Sequence, residues 1–150
     1  MTPTLIFREA RRDEVPAVLA LLRDDMLGQA REGDDTARYL AAFDAMRAEA
    51  ANHLIVGLSD ARVVACYQIV VISGLSLSAA RRAQIEGVRV RPDLRGQGIG
   101  TALIRDAETR ARAAGCTLLQ LTTNRSRRDA HRFYDRLGFT ASHIGYKKSF

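Results

Sequence analysis

Apolar residues recur along this chain with two periods, and the switches between them mark out its elements. Thr4 to Arg8 alternates and predicts a first strand. From Asp13 the spacing widens. Val15, Val18, Leu19 and Leu22 share a helical face, with Asp13 as cap and Pro16 in the first turn, where a missing N–H is tolerated. Past a loop around Gly28, Tyr39, Leu40, Phe43 and Met46 form the stripe of a second helix over roughly Thr36 to Ala51, ended by Asn52.

His53 to Leu58 and Arg62 to Ile72 are β-rich runs, and Ser59-Asp60-Ala61 between them predicts a hairpin. Ser73 to Ala83 reads as a polar loop and Gln84 to Arg91 as the next strand. Helical spacing returns over Gly98 to Ala114, where Ile99, Leu103, Ala107 and Ala111 share a face and Gly115 follows as a stop. Thr117 to Thr123 predicts a strand and Asp129 to Leu137 a helix stopped by Gly138. A final strand is expected from Phe139 to Lys147. The order β-α-α-β-β-β-α-β-α-β, with no repeat or linker, predicts one α/β domain over residues 1–150. Its sheet should be mixed: the early hairpin is antiparallel, and the strands joined through a helix are parallel.

Composition narrows this little. At 150 residues, 47% hydrophobic and 27% charged, the chain is globular and long enough for a core of its own. No apolar run is long enough to span a bilayer, and MTPTLIFREA lacks the regions of a secretory leader, so a cytoplasmic protein is expected. Cys66 and Cys116 read as buried free thiols. His53, His131 and His143 are isolated from each other, so no metal site is expected. The net charge of +6 favours anionic ligands, but scattered arginines and 6% aromatics argue against a nucleic-acid platform.

Charge and period meet at RVRPDLRGQGIGTALI, Arg89 to Ile104. A strand there breaks at Pro92 and reaches a helix through Gly96, Gly98 and Gly100, a density of glycine that costs backbone entropy. The first N–H groups of a helix have no partners within it, the dipole favours negative charge there, and Arg95 adds a fixed cation. A phosphate site follows. Its spacing fits neither the dinucleotide fingerprint G-x-G-x-x-G nor the Walker G-K-[ST].

Arg95-Gly96-Gln97-Gly98-Ile99-Gly100 resembles instead the acyl-CoA signature of the GNAT superfamily of N-acetyltransferases. DAHRFYDRLGF, Asp129 to Phe139, resembles that family's C-terminal helix and turn, and the element order is similar throughout. The resemblance implies the GNAT fold, its parallel central strands splayed between Arg91 and Thr117, and acetyl-CoA as co-substrate. It implies that N–H groups of Arg95, Gly96, Gln97, Gly98, Ile99, Gly100 and Thr101 hold the pyrophosphate. Val88 and Val90 would pair with the pantetheine, and Asn124 would lie near it, although Arg125 to Arg128 lengthen the stretch between Asn124 and Tyr134.

Acetyl transfer to an amine, whose ammonium form has a pKa near ~10, needs deprotonation, a donor for the oxyanion and a proton for the departing thiolate. The resemblance implies that the Val88 N–H is the oxyanion donor, Tyr134 the acid, and Glu86 a base or water relay. Strict alternation would put Glu86, Val88 and Val90 on one side of their strand. Tyr134 as a core tyrosine and Glu86 as an exposed glutamate or an arginine's ion-pair partner stay open. His131 reads as a surface residue or one that supports a site residue, not as a catalytic one.

For the acceptor, Asp24, Asp25, Glu32, Asp34 and Asp35 would attract a cationic amine or merely form a solvated helix end. Arg81 and Arg82 would suit an anionic one. The block TTNRSRRDAHRFYDRLGFTASH is also similar to bacterial aminoalkylphosphonate N-acetyltransferases. The expected reaction is transfer from acetyl-CoA to a small-molecule primary amine by direct attack in a ternary complex. A protein or aminoacyl-tRNA acetyltransferase and a non-catalytic acyl-CoA-binding regulatory module stay open, and the family's habit of pairing through C-terminal strands implies a homodimer.

Overall fold

The computed structural model describes residues 4–24, 32–33 and 35–150, which fall into two compact units, residues 1–120 and 121–150. The first carries a sheet in the order β1 (Leu5–Glu9), β2 (Asn52–Ser59), β3 (Arg62–Ile72), β4 (Arg82–Val90), β5 (Leu118–Leu121). The pairs β1–β2, β2–β3 and β3–β4 are antiparallel. β4 reaches β5 through helix α3 (Ile99–Ala113), the crossover of a parallel pair, so the sheet is mixed as expected.

The β2–β3 hairpin turns at Asp60 and Ala61, with φ of 48° and 63° between the paired Ser59 and Arg62. Two left-handed residues match the twist of the flanking strands. Helix α1 (Val15–Arg23) buries Val15, Val18, Leu19 and Leu21. Val18 and Leu21 pack with Val56, Leu58 and Cys66 of β2 and β3, and Leu22 lies against that cluster. Helix α3 contacts β1, β3 and β4 and buries Leu103, Ile104, Ala107 and Ala111. Helix α2 (Thr36–Ala48) buries Phe43.

Several local expectations change. The start of α1 is organised by Glu14, not Asp13. A 3-10 turn at Arg12–Glu14 comes first, and the buried Glu14 carboxylate accepts the Arg11 N–H at 2.8 Å and both Arg8 guanidinium nitrogens at 2.7 and 2.8 Å. That pairing holds the Glu14 carboxyl below the ordinary range. Helix α2 ends at Ala48, short of Ala51, and β5 is shorter than Thr117 to Thr123.

The second unit holds helix α4 (Arg128–Arg136), closed at the left-handed Gly138 by Leu137 and Phe139 N–H groups that both donate to the Tyr134 carbonyl. The strand expected over Phe139 to Lys147 is absent. A strand exists only by pairing, and beyond Leu121 this unit contains no other strand to pair with.

Candidate active site

The unusual stretch of the sheet is in β4. Glu86 pairs with Gln68 and Arg89 with Cys66, so one residue of β3, Tyr67, faces two of β4, Gly87 and Val88. This is a β-bulge, and Gly87 adopts φ 59°, where a Cβ would be strained. The bulge overturns the expected alignment of Glu86, Val88 and Val90. Glu86 lies opposite Gln68 and Val90 opposite Ala65, and positions 65 and 68 of β3 point to opposite faces. The extra residue shifts the alternation by one. Val88 sits at the shift, half-buried, while Arg89 turns into the core.

Glu86 itself is exposed. Its carboxylate accepts from the Gln84 amide at 3.1 Å, and the Gln84 carbonyl accepts from Gln120 on β5 at 2.8 Å. Among the described residues its partner is an amide and not an arginine, and its exposure matches the solvent-facing alternative.

Past Val90 the chain turns through a 3-10 turn at Pro92–Leu94. The Arg91 guanidinium grips Asp93 at 2.6 and 2.7 Å, which holds the Asp93 carboxyl below its ordinary range. Gly96 and Gly98 then both take left-handed φ, 78° and 83°, and Gly98 is the N-cap of α3. Ala102 N–H is bonded to the Gly98 carbonyl at 3.0 Å, so the Ile99, Gly100 and Thr101 N–H groups precede the first closed helical bond. Alternating left-handed residues turn successive N–H groups into one concavity, a nest for an anion. The first turn of α3 carries no acidic side chain to oppose one. Around Gly96 and Gly98 the positions a Cβ would take are open.

In the second unit, the Asn124 side chain accepts from Ser126 N–H at 2.9 Å and from the Ser126 hydroxyl at 2.7 Å. His131 Nε2 donates to the Asn124 carbonyl at 2.9 Å. Asn124 thus organises the turn into α4, and His131 braces it. Tyr134 is half-buried between Phe133 and Phe139, its ring edge-to-face with both, with centroids at 5.2 and 5.5 Å. Glu86, Val88, Val90 and the glycine nest belong to one unit, Asn124 and Tyr134 to the other.

Of the acidic positions before α2, Asp25 and Asp34 lie outside the described residues. Asp35 caps α2 by accepting the Arg38 N–H, and Glu32 accepts the Tyr39 hydroxyl at 2.7 Å. Both have local structural partners. Arg81 donates to the Ser73 hydroxyl at 2.9 Å. Among the described residues no group of acidic, histidine and cysteine side chains forms a metal site.

Tyr67 and Gly87 do not stand out in the sequence, and Cys66 stands out there only as a buried free thiol. Tyr67 donates to Asp106 of α3 at 2.5 Å, and Arg110 joins Asp106 at 2.8 Å and the Phe7 carbonyl at 3.2 Å. Burial, then the Asp106 bond, raises the Tyr67 phenol above its ordinary range. The one signal available was Gly87 inside an alternating strand pattern, which marks a bulge.

A bulged strand running into left-handed glycines at a helix start is an α/β arrangement suited to an anionic ligand, and comparison with known proteins gives the family. The model of the acetyltransferase (GNAT) family matches residues 15–139, and the chain belongs to that family, whose members are acyltransferases with acetyl-CoA as co-substrate. Among individual relatives, the chain is 39% identical to a Bacillus halodurans protein whose crystal structure is described as a transcriptional regulator. The match covers 98% of this chain and 100% of that one, with a TM-score of 0.93. A putative acetyltransferase from Agrobacterium tumefaciens is 27% identical, covering 97% and 99%, with a TM-score of 0.86. The aminoalkylphosphonate N-acetyltransferase of Salmonella typhimurium is 48% identical over 66 residues, which are 44% of this chain and 43% of that one. The chain spans less than half the length of the curated relatives it matches.

Proposed function

We propose that this protein is a cytoplasmic N-acetyltransferase that moves the acetyl group of acetyl-CoA to the primary amine of a small molecule, by direct attack in a ternary complex. The observation that carries the reading is the nest at Gly96 and Gly98, set one short turn beyond the Val88 bulge. In this reading N–H groups between Arg95 and Thr101 bind the pyrophosphate, and Val88 and Val90 lie along the pantetheine. The Val88 N–H donates to the thioester oxygen, where charge develops as the amine attacks.

Glu86 takes the ammonium proton directly or through water, aided by its exposure and the Gln84 contact. The amine nitrogen bonds to the acetyl carbon, the carbon–sulfur bond breaks, and Tyr134 protonates the departing thiolate. Asn124, whose side chain already holds Ser126, shapes the adjoining turn and reaches the pantetheine only through its remaining N–H groups. Residues 1–150 are read as one N-acetyltransferase domain, supported by a family match that crosses from one unit into the other.

The 48% likeness to the Salmonella aminoalkylphosphonate enzyme supports an acceptor that carries a phosphonate, with Arg81 and Arg82 as its cationic partners. The exposed Ile144, Tyr146 and Phe150 suit a homodimer built through the C-terminal segment, to be checked by light scattering. The test of function is thiol release from acetyl-CoA across aminophosphonates, polyamines, amino acids, aminoglycosides and peptides. Turnover of aminoalkylphosphonates, lost in Arg81→Ala/Arg82→Ala with CoA affinity intact, is the expected result. Turnover confined to peptides would favour a protein acetyltransferase. The description of the Bacillus halodurans relative favours a second, regulatory reading. Acetyl-CoA binding without transfer to any acceptor in the panel would support it.

A further inference from the structure

The Val88 N–H does not stand alone: it shares a peptide plane with the Gly87 carbonyl. In a trans peptide these two groups point in opposite directions, so whatever fixes one fixes the other. No cis bond occurs among the described residues. Gly87 and Val88 have dropped out of the β3–β4 ladder at the bulge, together with Tyr67, so the ladder register does not dictate how this peptide is turned.

A side chain makes contact there instead. The Cys66 thiol lies 3.6 Å from the Gly87 carbonyl oxygen and donates to it. Cys66 is on β3, 1% exposed, within the cluster formed with Val18, Leu21, Val56 and Leu58. With the carbonyl turned toward that thiol, the Val88 N–H points away from it. The next residue of β3 is also tied down, because Tyr67 is completely buried and bonded to Asp106. Cys66 and Tyr67 point to opposite faces of β3, so its backbone opposite the bulge is anchored on both sides.

From this geometry we infer that Cys66 is a positioning residue for acetyl transfer: its thiol holds the Gly87–Val88 peptide in the orientation that aims the Val88 N–H at the thioester carbonyl. The inference rests on the reading of Val88 as oxyanion donor. A thiol is a weak donor, so its contribution is direction more than energy. Oxyanion donors act because their orientation is set before the charge appears, and a small rotation of this peptide would forfeit that. Burial pushes the Cys66 thiol up to about 12, which keeps it protonated and donating across the neutral range. Left-handed Gly87 allows the turn, and Cys66 selects it.

Uniformly 15N-labelled protein tests this with acetyl-CoA and free CoA as probes. Subtracting the two chemical-shift changes isolates the thioester carbonyl. In the wild type the Val88 amide proton should move downfield with acetyl-CoA and much less with CoA. In Cys66→Ala that difference should fall by at least half, with affinity for CoA retained. Val64→Ala, which empties buried volume on the same strand away from Gly87, controls for loosened packing and should keep the wild-type difference. A full difference in Cys66→Ala overturns the role of Cys66 and leaves the oxyanion reading standing. No difference at Val88 in the wild type overturns the oxyanion reading and the inference with it. An equal loss in Val64→Ala assigns the effect to packing and overturns the inference.

Discussion

Gly98→Ala separates what the glycine nest contributes to folding from what it contributes to binding. Gly98 has φ 83° and ψ 4°, and a Cβ there would meet nothing within 4 Å. The folded protein therefore feels backbone strain and no clash. A left-handed conformation costs an alanine about 1–2 kcal/mol, and the stiffer unfolded chain returns roughly 0.4–1 kcal/mol of that. The net loss is below about 2 kcal/mol, a fall in Tm of only a few degrees at this chain length.

An anion seated on the Ile99, Gly100 and Thr101 N–H groups would occupy the open space the new methyl fills. Losing one or two charge-assisted bonds, each worth about 1.5–3 kcal/mol, weakens CoA binding by about tenfold to more than a hundredfold. Calorimetric titration with CoA, beside thermal unfolding, measures both quantities. Titration with acetyl-pantetheine, which lacks the pyrophosphate, should show no change. A CoA affinity that survives the substitution would refute the assignment of the nest. An equal loss for acetyl-pantetheine would place the damage elsewhere in the site.

Tyr67→Phe removes the hydroxyl that Asp106 accepts at 2.5 Å and leaves the carboxylate with Arg110. A bond of this kind contributes about 1.5–3 kcal/mol, so urea denaturation should show a loss of that order. Glu86→Gln and Tyr134→Phe should each lower kcat while leaving CoA affinity intact. Unchanged turnover in either would remove that residue from the mechanism. Glu14 has its carboxyl lowered in the folded state, chiefly by the Arg8 hydrogen bonds, so its stabilising effect is present above the unfolded value and lost as pH falls through the folded one. Glu14→Gln should therefore be less stable than wild type at neutral pH, with the gap closing under acid. A constant gap from neutral pH down to strong acid would contradict the pairing.

The elements legible in the sequence were those whose cause is local. A period of apolar residues and a flanking cap or glycine were enough for α1, α3, α4 and the hairpin, and the turn at Asp60 and Ala61 lies where the two β runs left room for it. The misplaced features depend on partners far along the chain. Asp13 and Glu14 are both plausible at a helix start, and the choice is made by Arg8, which reaches back from β1. The tail from Phe139 to Lys147 reads as a strand by composition, yet a strand requires a neighbour to complete its hydrogen bonds.

The site divides the same way. The glycine turn proposed to hold the anion was readable, because left-handed glycines at a helix start are a local requirement written in residue type. The register of Glu86, Val88 and Val90 was not, because alternation is a rule for unbroken ladders. One glycine, Gly87, breaks it and turns Val90 to the face opposite Glu86. A bulge is legible as a glycine in a strand, but its direction depends on the strand beside it. Here that strand supplies Cys66 to the carbonyl and Tyr67 to the facing gap, two residues that read as ordinary core in any scan of hydrophobicity. The chemistry proposed for β4 is therefore set as much by residues of β3 that touch no substrate as by those named in the family's motif.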